Sequence, residues 1–285
     1  MMNPLRRWFG RRETAYESLA AEPVFDPSRC VLCIGGVRTG TTVFRQMLAS
    51  HPGFVDRGEI FNTDNPRGYY AFLQARVRDR PEMVLPDAAT TNLQSYLATY
   101  SAPGLVSVFD VKYEHLLHLP CAWRLPHTDS VLLRILRNLS LRTIHLRRNP
   151  FHSIVSNLVA NQTRDYHHYK AQSGTEAPPA APPRIRVERE FLVNALGLRR
   201  RITLEVDRVL PISRRLSLDY ESIFTGEGHF SAETCQRVAH FLDVEDRFAR
   251  EPALDKVIAS PLSEIIENFS EIADLEATQV SAEPA

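Results

Sequence analysis

Residues 35–42, GGVRTGTT, carry the clearest chemical signal in the sequence. They follow an apolar run that predicts a short buried strand over 31–34, and they precede a helix predicted over 42–50. Glycine permits a tight turn, and the free amides at the start of a helix attract an anion. The sequence therefore predicts a phosphate-binding loop between this strand and this helix.

The loop departs at one position from the frame that binds nucleoside triphosphates. Gly35, Gly40 and Thr42 fit GxxxxGK[ST], but Thr41 stands where a lysine would reach the β- and γ-phosphates. Arg38 places a cation three residues earlier. The loop therefore favours a nucleotide with a shorter phosphate chain. A P-loop nucleotide or small-molecule kinase is the alternative, and it would call for lysine at position 41 and an acidic magnesium ligand.

A second pair of residues predicts another anion contact. Residues 141–146 form a β-branched run that predicts a strand, and Asn149 fits the N-cap of a helix predicted over 151–160. Arg148 precedes that helix and Ser156 lies about two turns into it, so both side chains can face one anion. Such sites lie beyond the C-terminal strand ends of a parallel sheet.

The remaining pattern indicates the elements that position these loops. Further strands are predicted over 53–59, 105–111 and 215–219, and further helices over 130–138, 187–209 and 232–242. Less regular stretches are a polar, turn-rich run at 62–80, a surface segment at 86–104, an exposed proline-rich loop at 177–183 and a loose acidic tail from Glu271. Strands that alternate with helices predict a three-layer α/β sandwich with a mostly parallel sheet.

Composition excludes some classes of function. The 285 residues have a formal net charge of zero, which gives no general attraction to nucleic acid, and no apolar run approaches the roughly 20 residues that span a bilayer. Residues 1–30 contain no signal-peptide core, so we expect a cytoplasmic protein. The arginine-rich arm at 1–12 is either a peripheral membrane contact or, as we favour, a solvated tail with one aromatic side chain against the body.

Cysteine and histidine spacing does not predict a metal site. Cys30 and Cys33 spell CxxC, but they lie inside the first predicted strand and lack a second ligand pair, so we expect buried structural thiols. The histidines at 115, 118, 167 and 168 have no third ligand at metal-binding spacing. No metal is therefore expected.

Three motifs, in this order and spacing, resemble the PAPS-dependent sulfotransferases. They are RTGTT at 38–42, RRNPFHSIVS at 147–156 and LDYE at 218–221. Segments at 58–62, 111–113 and 261–272 are similar to the bacterial branch, which includes trehalose 2-sulfotransferase and nodulation-factor sulfotransferases. The resemblance implies an N-terminal arm over 1–29, a sulfotransferase domain with a P-loop-like phosphosulfate-binding loop over 30–275, and a loose tail over 276–285.

The resemblance also implies roles for individual residues in binding the donor PAPS and the product PAP. The 5′-phosphosulfate would lie on Arg38, Thr39, Gly40, Thr41 and Thr42. The 3′-phosphate would lie on Arg148 and Ser156, and Tyr220 would lie near adenine. The simpler alternatives are an ion pair for Arg148, a filler role for Ser156 and a core aromatic for Tyr220.

Catalytic roles follow from the same resemblance and from the needs of sulfuryl transfer. We expect Glu59 to act as the base, Arg38 to stabilise the leaving group, and Lys112 to add positive charge near it. Glu59 could instead cap or form a salt bridge. The family's catalytic histidine falls on Glu114, with His115 next to it, which disfavours a histidine base.

The acceptor is expected to be a hydroxyl-bearing small molecule, most readily a carbohydrate or glycolipid. Irregular segments at 62–104 and 161–183 would line its pocket, and the polar run 165–169 could meet its hydroxyls or could simply be solvated. A non-enzymatic nucleotide sensor or scaffold is the third possibility, which the intact Arg38, Arg148 and Ser156 disfavour.

Overall fold

The computed structural model describes residues 23–117, 119, 129–164, 168–169, 184–252, 254–255 and 261–280. Its central sheet consists of β1 (Cys30–Gly35), β2 (Phe54–Glu59), β3 (Val106–Lys112), β4 (Arg142–Arg147) and β6 (Arg215–Asp219), and a separate antiparallel ribbon joins β5 (His168–Tyr169) to β7 (Leu254–Asp255). The central strands are all parallel, in the order β2-β3-β1-β4-β6. The strands that precede the two predicted anion loops, β1 and β4, are therefore neighbours.

Eleven α-helices lie in the described part of the chain. They are α1 (Thr41–Ser50), α2 (Tyr69–Asp79), α3 (Ala89–Tyr100), α4 (Tyr113–Leu117), α5 (Val131–Asn138), α6 (Pro150–Thr163), α7 (Arg189–Val209), α8 (Tyr220–Ile223), α9 (Ala232–Leu242), α10 (Leu262–Ile265) and α11 (Phe269–Val280). None of these helices is long and apolar enough to cross a membrane.

Strand β1 shows how the sequence produces two apolar layers. All six of its residues are buried, and successive side chains point to opposite faces of the sheet. Leu32 and Ile34 join an apolar layer formed with α3, α5 and α7, whereas Val31 joins a layer formed with α1 and α9. Helices thus cover both faces of the sheet, and the predicted α/β fold class is confirmed.

The CxxC pair lies within this same strand. Cys30 and Cys33 are free and fully buried, and they belong to opposite apolar layers, so they cannot act as one chelating pair. Burial raises the pKa of Cys30 to about 11, which keeps the thiol protonated. The structural role predicted for the two cysteines is confirmed.

Two stretches predicted to be irregular are helical, and those predictions are wrong. Helix α2 falls in the run described as turn-rich, and α3 falls in the segment described as surface. Both helices bury aromatic residues against the sheet, with Phe72 and Tyr96 in edge-to-face contact. Because arginines and threonines lie between these aromatic residues, the apolar pattern of a helix is not apparent in the sequence alone.

The predicted loose tail from Glu271 is also wrong, because α11 continues to Val280. Ile272 is fully buried in a third apolar cluster that joins α6, α7, α10 and α11, so this short helix is held by packing. Residues 281–285, the arm at 1–12 and the proline-rich loop at 177–183 lie outside the described residues.

Candidate active site

The loop after β1 forms a sharp turn that opens into α1. Gly40 occupies the N-cap with a φ of 82° and has no side chain to cap the helix, so the first amides of α1 remain available. The hydroxyl of Thr39 donates to the carbonyl of Gly36 at 2.7 Å and closes the turn from inside. Thr41 and Thr42 begin the helix. The loop therefore has the geometry that an anion cradle requires, and the Thr39 side chain stabilises that geometry.

Arg38 joins the two predicted anion loops. Its Nε donates to Ser156 Oγ at 3.2 Å, and Nη1 of Arg148 donates to the Arg38 carbonyl at 2.7 Å. Asn149 caps α6 by accepting from the amides of Phe151 and His152, which fixes the helix that carries Ser156. Arg38, Arg148 and Ser156 thus converge at the C-terminal ends of β1 and β4.

Arg148 has an unused donor in this group. Its Nε is buried and has no hydrogen-bond partner among the described residues. Burial lowers the pKa of the Arg148 guanidinium, although nearby Tyr220 and Glu221 oppose that shift. A buried cation with an unpaired N–H is costly unless a ligand satisfies it, so the side chain is suited to bind an anion.

Tyr220 supports both loops from the end of β6. The guanidinium carbon of Arg148 lies 4.4 Å from the centre of the Tyr220 ring, a cation–π contact. The ring also lies against Gly40, where an added Cβ would come within 2.6 Å of two ring carbons. Tyr220 therefore acts as a support for the arginine, and its predicted contact with adenine remains a prediction.

A cavity of about 390 Å³ opens beside Arg148. Its walls include His152, Phe269 and Glu276, together with the start of α10. His152 Nε2 lies 2.9 Å from Glu276 Oε1, which ties α11 to α6 across the cavity. The volume is sufficient for part of a nucleotide and lies within the usual range for small-molecule sites.

Glu59 reaches the other side of the loop because β2 is irregular near its end. The pairing of β2 with β3 shifts register between Asp56 and Glu59, and Gly58 has a φ of 75°. The Asp56 carboxylate accepts from the Gly58 amide at 2.8 Å and stabilises this bulge. Bulges commonly redirect a side chain beside an active site. Here the bulge brings Glu59 next to Lys112, with Oε1 3.1 Å from Nζ.

Lys112 connects Glu59 to the anion loop. Its Nζ donates to the Thr41 hydroxyl in the first turn of α1 and to Asp110 Oδ2 at 2.8 Å. Asp110 Oδ2 also accepts from Arg45 Nε at 3.1 Å. The structure therefore brings Glu59, Lys112 and Thr41 together, as the sequence analysis expected, around a buried aspartate that it did not anticipate.

Asp110 carries a stable negative charge within this group. Burial alone would raise its pKa, but the positive charges of Lys112 and Arg45 outweigh burial and lower the pKa below its ordinary value. Sequence reasoning missed Asp110 and Arg45. For Asp110 a signal was present, since residues 110 and 112 are alternate positions of one strand and place two opposite charges on the same face.

Arg199 is a third residue that sequence reasoning missed. Its Nη1 is buried and unpaired within the part of the chain that the structure describes, and a Cβ added to Gly36 would lie only 1.5 Å from it. Nη2 pairs with Glu114 Oε1 at 3.2 Å. The guanidinium therefore lies against the first residues of the loop, and a side chain at position 36 would have to displace it.

The residues predicted to bind and transfer a group thus form two adjacent clusters at one edge of the sheet. One contains Arg38, Arg148, Ser156 and Tyr220, and the other contains Glu59, Lys112 and Thr41. A family model described as "Sulfotransferase family" matches residues 30–245, which include every one of these side chains. The chain belongs to the sulfotransferase family.

Solved structures give distant similarities to sulfotransferases. One from Alicyclobacillus acidocaldarius is 13% identical with a TM-score of 0.48, covering 90% of this chain and 94% of its own. The sulfotransferase domain of the Synechococcus PCC 7002 olefin synthase is 14% identical with a TM-score of 0.42, covering 93% of this chain and 92% of its own. Mouse sulfotransferase SULT7A1 complexed with PAP is 11% identical with a TM-score of 0.43, covering 92% of this chain and 69% of its own. No curated protein matches the chain.

Membership of the sulfotransferase family assigns the chain to an enzyme class and favours sulfuryl transfer over the kinase and the non-enzymatic alternatives. It is consistent with threonine at position 41 in place of the kinase lysine. Across the described residues, no group of three histidine, cysteine, aspartate or glutamate side chains could hold a metal ion.

Proposed function

We propose that the protein transfers a sulfuryl group from PAPS to a hydroxyl of a carbohydrate or glycolipid. The observation that carries this proposal is the convergence of Arg38, Arg148 and Ser156, with the Arg148 Nε buried and unpaired beside an open cavity. Two cationic groups and an amide cradle at adjacent strand ends suit a nucleotide with phosphates at both its 3′ and 5′ positions.

The donor's two ends would occupy different parts of this site. The 5′-phosphosulfate would lie on the loop amides and Arg38, as the family resemblance implies. The 3′-phosphate would accept from Arg148 and Ser156, and the nucleoside would extend into the cavity beside Arg148. Binding at two anchored ends would hold the reacting sulfur in place between Arg38 and Glu59.

The reaction requires a base and a stabilised leaving group. The oxygen of the acceptor hydroxyl forms a bond to sulfur, the bond from sulfur to the 5′-phosphate oxygen breaks, and its electron pair passes to the phosphate as PAP forms. Glu59 would take the proton of the hydroxyl, and Arg38 with the loop amides would stabilise the growing phosphate charge. Asp110 and Arg45 are both buried, and Asp110 pairs with Arg45 and with Lys112.

The acceptor's chemical class rests on the resemblance to the bacterial branch of the family. Radiolabelled sulfate transfer from PAPS to a panel of sugars, glycolipids and phenols would test it, and we expect transfer to a sugar hydroxyl. Transfer to phenols alone would contradict the carbohydrate assignment.

The Glu59→Gln variant tests the base within the same assay. We expect kcat to fall by about 10²- to 10⁴-fold, the usual contribution of a general base. Glu82→Gln is the matched control, because it removes an exposed carboxylate that pairs with Arg80. Unchanged turnover in Glu59→Gln would show that Glu59 is not the base.

A further inference from the structure

Lys112 holds its ammonium group among three oxygen atoms. Nζ lies 2.8 Å from Asp110 Oδ2 and 3.1 Å from Glu59 Oε1, and it also donates to the Thr41 hydroxyl. Two of these contacts are hydrogen bonds, to Asp110 and Thr41, and the contact with Glu59 is an ion pair. The Glu59 carboxylate therefore competes with a phosphate in the adjacent loop for the positive charge of Lys112.

The three partners differ in how readily they can be released. Asp110 is fully buried and is shared with Arg45, and Thr41 is fixed in the first turn of α1. The Glu59 side chain is 30% exposed and holds the ammonium through its negative charge. Glu59 is also the group that would take up a proton during the proposed reaction. Its contact with Lys112 is therefore the one that the reaction itself weakens.

We infer that proton uptake by Glu59 releases Lys112 to the 5′-phosphate of the donor. This inference rests on the proposed function. As the acceptor oxygen bonds to sulfur, its proton passes to Glu59, and the electron pair of the breaking S–O bond passes to the phosphate oxygen. The Glu59 carboxyl becomes neutral while the phosphate becomes more negative. The Lys112 ammonium therefore leaves Glu59 and pairs with the phosphate.

The position of Lys112 means that its ammonium has to move only a short distance to reach the phosphate. Its contact with the Thr41 hydroxyl places Nζ at the first turn of the helix whose amides form the anion cradle. The side chain is almost wholly buried, with 8% exposed, and Asp110 anchors it during the exchange. Lys112 is thus a catalytic residue whose charge is withheld from the phosphate until Glu59 is protonated.

The Glu59→Gln variant mimics the protonated carboxyl and tests the inference without turnover. Calorimetry would compare PAP with adenosine 3′-phosphate, which lacks the 5′-phosphate, in the wild-type protein and the variant. We expect Glu59→Gln to bind PAP about tenfold more tightly than wild type, which corresponds to about 1.4 kcal/mol, and adenosine 3′-phosphate equally well. The same comparison in the Lys112→Met background should show no gain in PAP affinity. Melting curves would verify that each variant folds.

The outcomes separate this inference from the proposed function. If wild type binds PAP and Glu59→Gln binds it no more tightly, the release of Lys112 is wrong and the proposed function stands. A gain that persists in Lys112→Met, or that is equal for adenosine 3′-phosphate, reflects only lost negative charge and also overturns the inference. Failure of wild type to bind PAP overturns both.

Discussion

Arg38 Nε donates to Ser156 Oγ at 3.2 Å across 118 positions of sequence. The contact joins the loop after β1 to the helix after β4, and these two strands are neighbours in the sheet. The backbone of Arg38 is in the left-handed region, with a φ of 64°, and its carbonyl accepts from Arg148. A strained loop residue with partners on a second loop is typical of a ligand site.

Replacing Arg148 with alanine should weaken the binding of PAP. The guanidinium supplies the unpaired buried Nε and its stacking on Tyr220, and charge-assisted hydrogen bonds of this kind are worth about 10- to 100-fold in affinity. Calorimetry with PAP measures the effect. Arg147→Ala is the matched control, because the adjacent Arg147 pairs with Asp219 instead, and it should leave PAP affinity within about twofold of wild type.

Replacing Gly40 with alanine should damage the loop through a clash with Tyr220. The added Cβ would lie 2.6 Å from two carbons of the ring, in addition to the strain of a positive φ. Gly104→Ala separates the two effects, since Gly104 has a φ of 76° and open space around it. We expect both variants to lose about 1–2 kcal/mol of unfolding free energy from strain, and only Gly40→Ala to lose PAP affinity. Equal PAP affinities in the two variants would show that the contact with Tyr220 is unimportant.

Gly36 and Arg199 should be energetically coupled. Because the Arg199 guanidinium occupies the space of a Cβ at position 36, Gly36→Ala must displace it. In the Arg199→Ala background that obstacle is gone, and the same substitution should cost about 0.5–3 kcal/mol less in unfolding free energy. Urea unfolding of the wild type, the two single variants and the double variant gives the coupling free energy. Gly226→Ala, which has open space around it, should show none, and additive effects of Gly36→Ala and Arg199→Ala would contradict the prediction.

His145 should make the fold sensitive to mild acid. Its Nδ1 lies 3.0 Å from Asp207 Oδ1 and its Nε2 lies 2.6 Å from the Tyr113 hydroxyl, which suits a neutral ring that donates to the carboxylate and accepts from the phenol. Burial lowers the pKa of His145, although Asp207 opposes the shift and Arg147 and Arg215 add to it. The unfolded chain, with a histidine pKa of about 6.5, therefore binds the proton more readily than the folded protein.

Stability should accordingly fall as the pH drops below about 6.5, and it should be retained above that value. Melting temperatures of wild type and His145→Gln between pH 7.5 and pH 5.5 test this. We expect the variant to be less stable at pH 7.5 but to lose less stability on acidification. Parallel curves for the two proteins would assign the acid sensitivity to other groups.

The sequence was sufficient to predict those parts of the site that depend on local pattern. Strand–loop–helix units surround both Arg38 and Arg148, and their apolar runs, N-caps and glycines lie within a few residues of the chemistry. The eight-residue interval from Arg148 to Ser156 determines where Ser156 lies on α6 relative to Arg148, which precedes the helix. Both loops can therefore be located without the sheet order that makes them neighbours.

The parts of the fold and of the site that could not be predicted depend on contacts between distant parts of the chain. Arg199 reaches Gly36 from α7, and Arg45 reaches Asp110 from α1; no local pattern distinguishes these arginines from surface ones. Helix α2 was missed because tertiary packing of Phe72, rather than a clear apolar period, holds it. Long-range packing of this kind cannot be derived from a single sequence.

Calorimetry with PAP and with ATP tests the central claim most directly. The proposed anchors for a 3′-phosphate and a 5′-phosphate, together with threonine at position 41, should make PAP bind at least about tenfold more tightly than ATP, which lacks the 3′-phosphate. The Arg148→Ala variant should reduce that preference. Binding of ATP without binding of PAP would contradict the assignment of PAPS as the donor.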